Sequence, residues 1–248
     1  KTLNFIKPFV SGDFFFYASQ DDLFSSNLIK KMINRYFETK ATCIIPDTEY
    51  YFENKVNNRK TIGLNGNRTI ELSGREVFLQ SLNWNIHGFV LFKMELFKSE
   101  IIPEDAFDAD DYITRKWFLN CEKVVFSEGT FFYRQDNPNA ITKTFGKKNF
   151  YALNSRQKVW QLIIDSKFPE PYKSSAYRDF VYNYYHTIKK YKTYKFENLE
   201  DKNEISAFLS NFKKQHFSTK FIKNCIIEAL KSGKIKFLAV LLIALKKN

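Results

Sequence analysis

The sequence predicts an α/β domain followed by an α-helical region, and two observations carry the prediction. Up to about Thr144, apolar runs of strand length alternate with amphipathic runs of helix length. Beyond Lys147, every sizeable segment has the apolar spacing of a helix.

Phe14–Ser19 is apolar and aromatic and reads as a buried strand. Ser25 or Ser26 is placed to cap a helix through LIKKMINRYFE, whose Leu28, Ile29, Met32, Ile33 and Phe37 form one stripe. Ala41–Ile45 reads as the next strand, which completes a βαβ unit. The stretch ENKVNNRKTIGLNGNRT is polar and turn-rich, hence a surface loop. Its Asn67-Arg68-Thr69 has the form of a glycosylation sequon that a cytoplasmic protein does not use. A short helix near Gly74–Leu82 precedes NWNIHGFVLFKMELF, and Asp108 is placed to cap a helix over Asp110–Asn120. Lys123–Phe126 and Thr130–Arg134 read as a strand pair turning at Ser127-Glu128-Gly129.

The remaining helices are expected over Asn149–Lys167, Tyr172–Lys192, Glu204–Lys214, Ser218–Lys231 and Lys234–Lys246. Pro169-Glu-Pro171 and the polar patch Asn198–Asn203 separate them. The expected division is therefore 1–147 and 148–248.

Composition excludes several classes. The 44 aromatic residues (27 Phe + 14 Tyr + 3 Trp) exclude a disordered chain, and 8 Gly exclude a collagen-like one. Cys43, Cys121 and Cys225 are too few and too scattered for a disulfide framework and fit reduced thiols in the cytoplasm. His87, His186 and His216 form no zinc pattern with them. No segment reaches the ~20 apolar residues of a transmembrane helix. There is no phosphate loop, GxGxxG, HExxH or GxSxG motif. The net charge of +12 suits nucleic acid, an anionic membrane or a phosphorylated substrate, although a solvated lysine surface is the plainer account. Without a zinc-finger or aromatic RNA-binding signature, no nucleic-acid partner is expected. The chain opens on KTLNFIKPFV, with no initiator Met and no signal-peptide pattern, and reads as a fragment that starts in mid-fold.

Four places carry chemistry. Ser19-Gln20-Asp21-Asp22 follows an apolar strand, where α/β sheets bind ligands, and paired carboxylates suit Mg²⁺ or Mn²⁺ on phosphate oxygens. The same acids also suit a loop that starts a helix. The acidic run Asp105, Asp108, Asp110, Asp111 offers a general base, but acids also favour a helix N-terminus for electrostatic reasons alone. Trp84 and His87 beside Gly88 suit a sugar- or base-binding surface, or a core Trp with a surface His. Arg134, in Tyr133-Arg134-Gln135-Asp136-Asn137, suits a phosphate or a structural pairing.

The order of these signals resembles the family-2 glycosyltransferases of GT-A fold. GDFFFYASQDDLFSSNLIKKM is similar to the family's DxDD segment, and NWNIHGFVLFKMELFK to its "W-i-g-k-l-yrrelf" stretch. FDADDYITRKWFLNCEKVVFSEGTFFYRQDNPNAITK resembles the later segment with its acidic base motif and YR…N.(S/I)T ending. The resemblance spans roughly residues 1–145 and implies a GT-A-like mixed sheet with helices on both faces, before an α-helical C-terminal region. It implies an inverting transfer of a sugar from a nucleotide-sugar donor to a hydroxyl of a glycan or lipid-linked acceptor, in bacterial surface polysaccharide synthesis.

By the same resemblance, Asp21 holds Mn²⁺ or Mg²⁺ on the donor diphosphate, and Asp22 supports it or faces the sugar. Asp110, with Asp111 as the alternative, is the base. Trp84 and His87 contact donor or acceptor sugars, and Arg134 approaches the diphosphate or braces the site. Two departures stand out. Ser19 replaces the first Asp of the metal motif, and the family's first nucleotide-binding portion is absent before Lys1. A non-catalytic glycan- or membrane-surface-binding protein that keeps the fold is the alternative. Lys231, Lys234, Lys236, Lys246 and Lys247 bracket an apolar stretch that fits the inner face of a bacterial membrane, or a helix packed on its own domain. The expected location is cytoplasmic, with peripheral attachment there.

Overall fold

The computed structural model describes residues 2–138, 140, 143–231 and 233–245. They form two compact units, 1–103 with 113–144, and 104–112 with 145–248.

The first unit is built on a seven-stranded mixed sheet: β1 (Phe14–Phe16), β2 (Leu23–Phe24), β3 (Cys43–Tyr51), β4 (Arg59–Thr61), β5 (Glu71–Leu72), β6 (Leu91–Lys93) and β7 (Val124–Arg134). The order is β1-β6-β3-β7-β2, with β4 added to β3 and β5 to β7. β3 and β7 are parallel, whereas β6 is antiparallel to both β1 and β3. It follows that β1, β3 and β7 point the same way and end on one edge.

Helices cover both faces. α1 (Thr2–Ile6) precedes β1, and α2 (Leu28–Thr39) links β2 to β3. Leu28 and Met32 of α2 pack on Ile44, Leu91, Val125 and Phe131. On the opposite face, Phe15 and Phe92 meet Phe97 of α4 (Met94–Ser99) and Trp117 and Phe118 of α5 (Ala109–Leu119). The remaining helix, α3 (Gly74–Leu82), begins in a capping box: Ser73 Oγ accepts from the Glu76 N–H, and Glu76 reaches back to the Ser73 N–H at 2.7 Å.

Several expectations are corrected. The strand at Phe14 is only three residues long and half-buried, because β1 lies at the sheet's edge. Neither Ser25 nor Ser26 caps α2; Asn27 stands at the cap position without a side-chain bond to the helix N–H groups, its Oδ1 accepting from Ser25 Oγ at 3.0 Å. Ser25 instead ties to β7, accepting from the Thr130 N–H at 2.9 Å and donating its own N–H to Thr130 O. The loop after Tyr51 contains β4.

The expected hairpin at Ser127-Glu128-Gly129 is a bulge within one continuous strand. Ile45 pairs with Phe126 and Asp47 with Thr130, so three residues of β7 face Pro46 alone. Gly129 has φ +95°, and a Cβ there would stand 3.0 Å from Leu28 Cα. The strand passes through the turn sequence because β3 continues alongside it on both sides.

The second unit is helical. After a 3₁₀ turn (Lys147–Tyr151) come α6 (Ala152–Asp165), α7 (Tyr172–Thr193), α8 (Leu199–His216), α9 (Thr219–Lys231) and α10 (Ile235–Leu245). α8 starts earlier than Glu204 because Asn198 caps it, accepting from the Asp201 N–H at 2.8 Å. The polar patch read as a linker is that cap and the first turn. Tyr184, Phe150, Phe212 and Phe237 centre the core. Lys246 and Lys247 lie outside the described residues. Among the described residues, no helix is long and apolar enough to cross a membrane.

Candidate functional site

The carboxyl edge of β1, β3 and β7 gathers most of the polar residues singled out in the first unit. Asp21 and Asp22 lie in the turn that follows β1, with the Asp22 N–H donating to Ser19 O. Asn137, beyond the end of β7, donates its side-chain N–H to Asp21 Oδ2 at 2.6 Å. Asp22 is engaged from two sides: Oδ1 accepts the Arg134 N–H at 3.3 Å, and Oδ2 the Ser19 N–H at 3.1 Å. Burial pushes the Asp22 carboxyl above its ordinary range, and the Asp21 charge adds to this, against the two backbone N–H bonds.

Arg134 is committed within the same edge. Its Nε donates to Asp136 Oδ1 at 2.9 Å, and its guanidinium lies 3.4 Å from Glu53, just past β3. Asp136 also accepts the Glu53 N–H at 2.6 Å. The Arg134 guanidinium holds Asp136 below the ordinary carboxylate range. These bonds tie the ends of β3 and β7 together, which is a bracing geometry.

Beside this cluster, His87 Nε2 lies 3.3 Å from the Tyr50 hydroxyl. Burial, then the charge of Arg59, lowers the His87 pKa, which favours the neutral ring. Arg59 stands 5.5 Å over the Tyr50 ring. Phe89 stacks on Phe131 at 4.2 Å and leans on Tyr133 at 4.9 Å. Trp84 is exposed, with the Arg115 guanidinium 5.0 Å from its ring centroid.

In the second unit, Asp110 and Asp111 occupy the first turn of α5. Arg156 draws off Asp111 at 2.7 Å and Asp108 at 3.0 Å. Asp105 lies 3.4 Å from Lys158. Asp110 keeps an exposed surface, yet protein crowds its carboxyl on the remaining sides. That crowding, followed by the charges of Asp111 and Asp108, pushes its pKa up.

Sequence reasoning assigned no role to Asn137, Tyr50, Glu53 or the buried Asp47. Asp47 is 1% exposed, and Arg68 clasps it through Nε (2.9 Å) and NH2 (2.5 Å), with Lys60 at 3.6 Å. An acid within the apolar run CIIPD was the available signal, since a buried charge requires a partner. Asn139, Ile141 and Thr142, which carried the end of the sequence resemblance, lie outside the described residues.

No protein-family model and no curated protein sequence matches this chain. Solved structures do. The chain is similar to S. aureus TarS 1–349 in complex with UDP-GlcNAc, with a TM-score of 0.53 at 13% identity over 83% of this chain. It spans 59% of that TarS chain. Against S. aureus TarS 1–349 alone the TM-score is 0.49 at 15% identity, over 80% of this chain and 55% of that one. The likeness is one of fold: a mixed α/β sheet with helices and a C-terminal helical region, resembling the GT-A fold of the glycosyltransferase TarS.

Proposed function

We propose that this chain is an inverting glycosyltransferase, which moves a sugar from a nucleotide-sugar donor to a hydroxyl of a glycan or lipid-linked acceptor. The observation that carries this reading is the meeting of Asp21, Asp22 and Asn137 at the carboxyl edge of β1 and β7, where open α/β sheets bind ligands. The fold likeness to TarS, solved with UDP-GlcNAc, supports it.

The donor set fits a divalent ion that is completed by substrate. Asn137 engages only Oδ2 of Asp21, whereas both oxygens of Asp22 accept backbone N–H groups. One carboxylate with diphosphate oxygens and water is an ordinary environment for Mg²⁺ or Mn²⁺. Asp21 is therefore the ligand, and Asp22 shapes the turn that presents it. When bound, such an ion stabilises the charge of the departing diphosphate.

The chain's own groups do the rest. The acceptor oxygen attacks the anomeric carbon while the bond from that carbon to the diphosphate oxygen breaks, through an oxocarbenium-like transition state. The hydroxyl proton passes to the Asp110 carboxylate, whose raised pKa favours proton capture. Asp111, engaged by Arg156, is the weaker candidate. Trp84 and His87 contact sugars, and Arg134 braces the strand ends. The exposed Leu230, Leu242 and Ile243, beside exposed Lys231, Lys234 and Lys236, suit peripheral contact with an anionic membrane that carries a lipid-linked acceptor. Synthesis of bacterial surface polysaccharide is the setting this proposes.

A second reading, a non-catalytic glycan-binding protein of the same fold, is favoured by Ser19 in place of an acid. Incubation with UDP-GlcNAc and Mn²⁺ separates the two. The transferase reading expects Mn²⁺-dependent release of UDP that is lost in Asp21→Ala. Release that persists undiminished in that variant, or its absence in the parent chain, rejects it.

A further inference from the structure

Helix α3 ends in an unusual turn. The Trp84 N–H donates to Ser81 O at 3.2 Å and the Asn85 N–H to Gln80 O at 3.1 Å, the bond pair of a Schellman motif. That motif needs a left-handed residue at the position Trp84 fills, and Trp84 has φ +59°. Glycine is the usual occupant because a Cβ is crowded in this conformation. A tryptophan in its place strains the backbone, yet its ring does not fill a core: Trp84 is 55% exposed. The Arg115 guanidinium supports the ring, and Arg115 is itself 5% exposed and donates to Ser81 O at 2.9 Å. The turn and the cation fix the ring while over half of the residue stays in water.

From Trp84 a row of rings leads along the sheet edge. Trp84 to His87 is 6.2 Å, His87 to Tyr50 5.6 Å, and Tyr50 to Tyr133 5.8 Å, each pair tilted or edge-on. Tyr133 immediately precedes Arg134, whose N–H holds Asp22. His87, Tyr50 and Tyr133 are half-buried, so each keeps surface in solvent. The row alternates apolar ring faces with a phenol hydroxyl and a neutral imidazole. A pyranose has the matching chemistry: an apolar C–H face for rings and hydroxyls that need donors and acceptors. Strain held at an exposed aromatic is a mark of function over stability.

We infer that Trp84 is the outer stacking subsite of an acceptor-oligosaccharide track, running past His87, Tyr50 and Tyr133 toward Asp21 and Asp22. The acceptor role rests on the transferase reading; the saccharide binding does not.

Calorimetric titration of the full chain with chitopentaose and with cellopentaose tests it. Saturable binding of at least one is expected, weakened about tenfold or more in Trp84→Gly and largely kept in Trp84→Phe. Glycine fits the left-handed turn, so Trp84→Gly is expected to melt about 2–4 °C above Trp84→Ala. Failure of both oligosaccharides to bind the parent chain, or undiminished binding in Trp84→Gly, overturns the inference. UDP-GlcNAc binding in Asp21→Ala is measured alongside. If Asp21→Ala leaves it intact while Trp84→Gly loses the oligosaccharide, the transferase reading fails and the saccharide track stands.

Discussion

The Asn137 amide donates to the Asp21 carboxylate at 2.6 Å, joining two turns 116 residues apart in the chain. One turn follows β1 and the other follows β7, so the bond fixes where the carboxylate proposed as the metal ligand points. Asn137→Ala should reduce stability by about 0.5–1.5 kcal/mol, the usual net contribution of one such bond. It should also weaken Mn²⁺-dependent binding of UDP-GlcNAc, because Asp21 is then free to rotate. Urea denaturation and calorimetry read the two effects. Unchanged metal-dependent binding would show that the bond does not orient the ligand.

Asp110 should behave as a base. Asp110→Asn is expected to cut turnover by about 10²–10⁴-fold. The stability effect has a definite sign. A carboxyl whose pKa is raised in the fold holds its proton more tightly folded than unfolded. The parent chain therefore loses stability as pH rises from the ordinary carboxylate range through the raised folded value. Asp110→Asn lacks that step and should be at least as stable as the parent at neutral pH. Thermal melts across pH 4 to 8 check it, and a neutral-pH loss of stability in the variant would contradict the assignment.

Arg68, whose side chain is 34% exposed, pairs with the buried Asp47 of β3. Arg68→Ala leaves a carboxylate that is 1% exposed facing only Lys60 at 3.6 Å. The expected loss is about 3–5 kcal/mol by urea denaturation. A loss below about 1 kcal/mol, the scale of a surface pair, would mean that Lys60 moves in to replace Arg68.

Gly129 sets the bulge of β7. Gly129→Ala forces a side chain into φ +95° and against Leu28 of α2. Stability should fall by about 1–3 kcal/mol. Because the bulge lies next to Thr130, whose N–H donates to Ser25 Oγ and whose carbonyl accepts the Ser25 N–H, hydrogen exchange should quicken at both of these amides. Exchange confined to residue 129 would show that the bulge is locally autonomous.

Much of the fold was legible in residue spacing. Helix α3 was read as a short helix near Gly74–Leu82, and α7 as a helix beginning just after Pro171. The misreadings share one cause. Ser127-Glu128-Gly129 has turn chemistry, but turn residues also make bulges, and the choice depends on a partner strand that lies some eighty positions away. Ser25 has cap chemistry, but Thr130 claims it. In the site, Asp21 and Asp22 were legible because they follow an apolar strand directly. Asn137 carried no distinguishing signal, since an amide in a polar loop acquires meaning only from what it faces.

The sequence by itself determined the alternating α/β region, the helical region after it, and the carboxylates placed at strand and helix ends. Those follow from local spacing and from the side chains' own chemistry, which act within a few residues. Only the tertiary structure decided that β6 runs antiparallel between β1 and β3, that Asn137 holds Asp21, and that Arg156 takes Asp111 and leaves Asp110 exposed. It also set Trp84 in a glycine's conformation at the end of a row of rings. Each of these depends on contacts between segments distant in the chain, where packing and hydrogen-bond satisfaction override local preference.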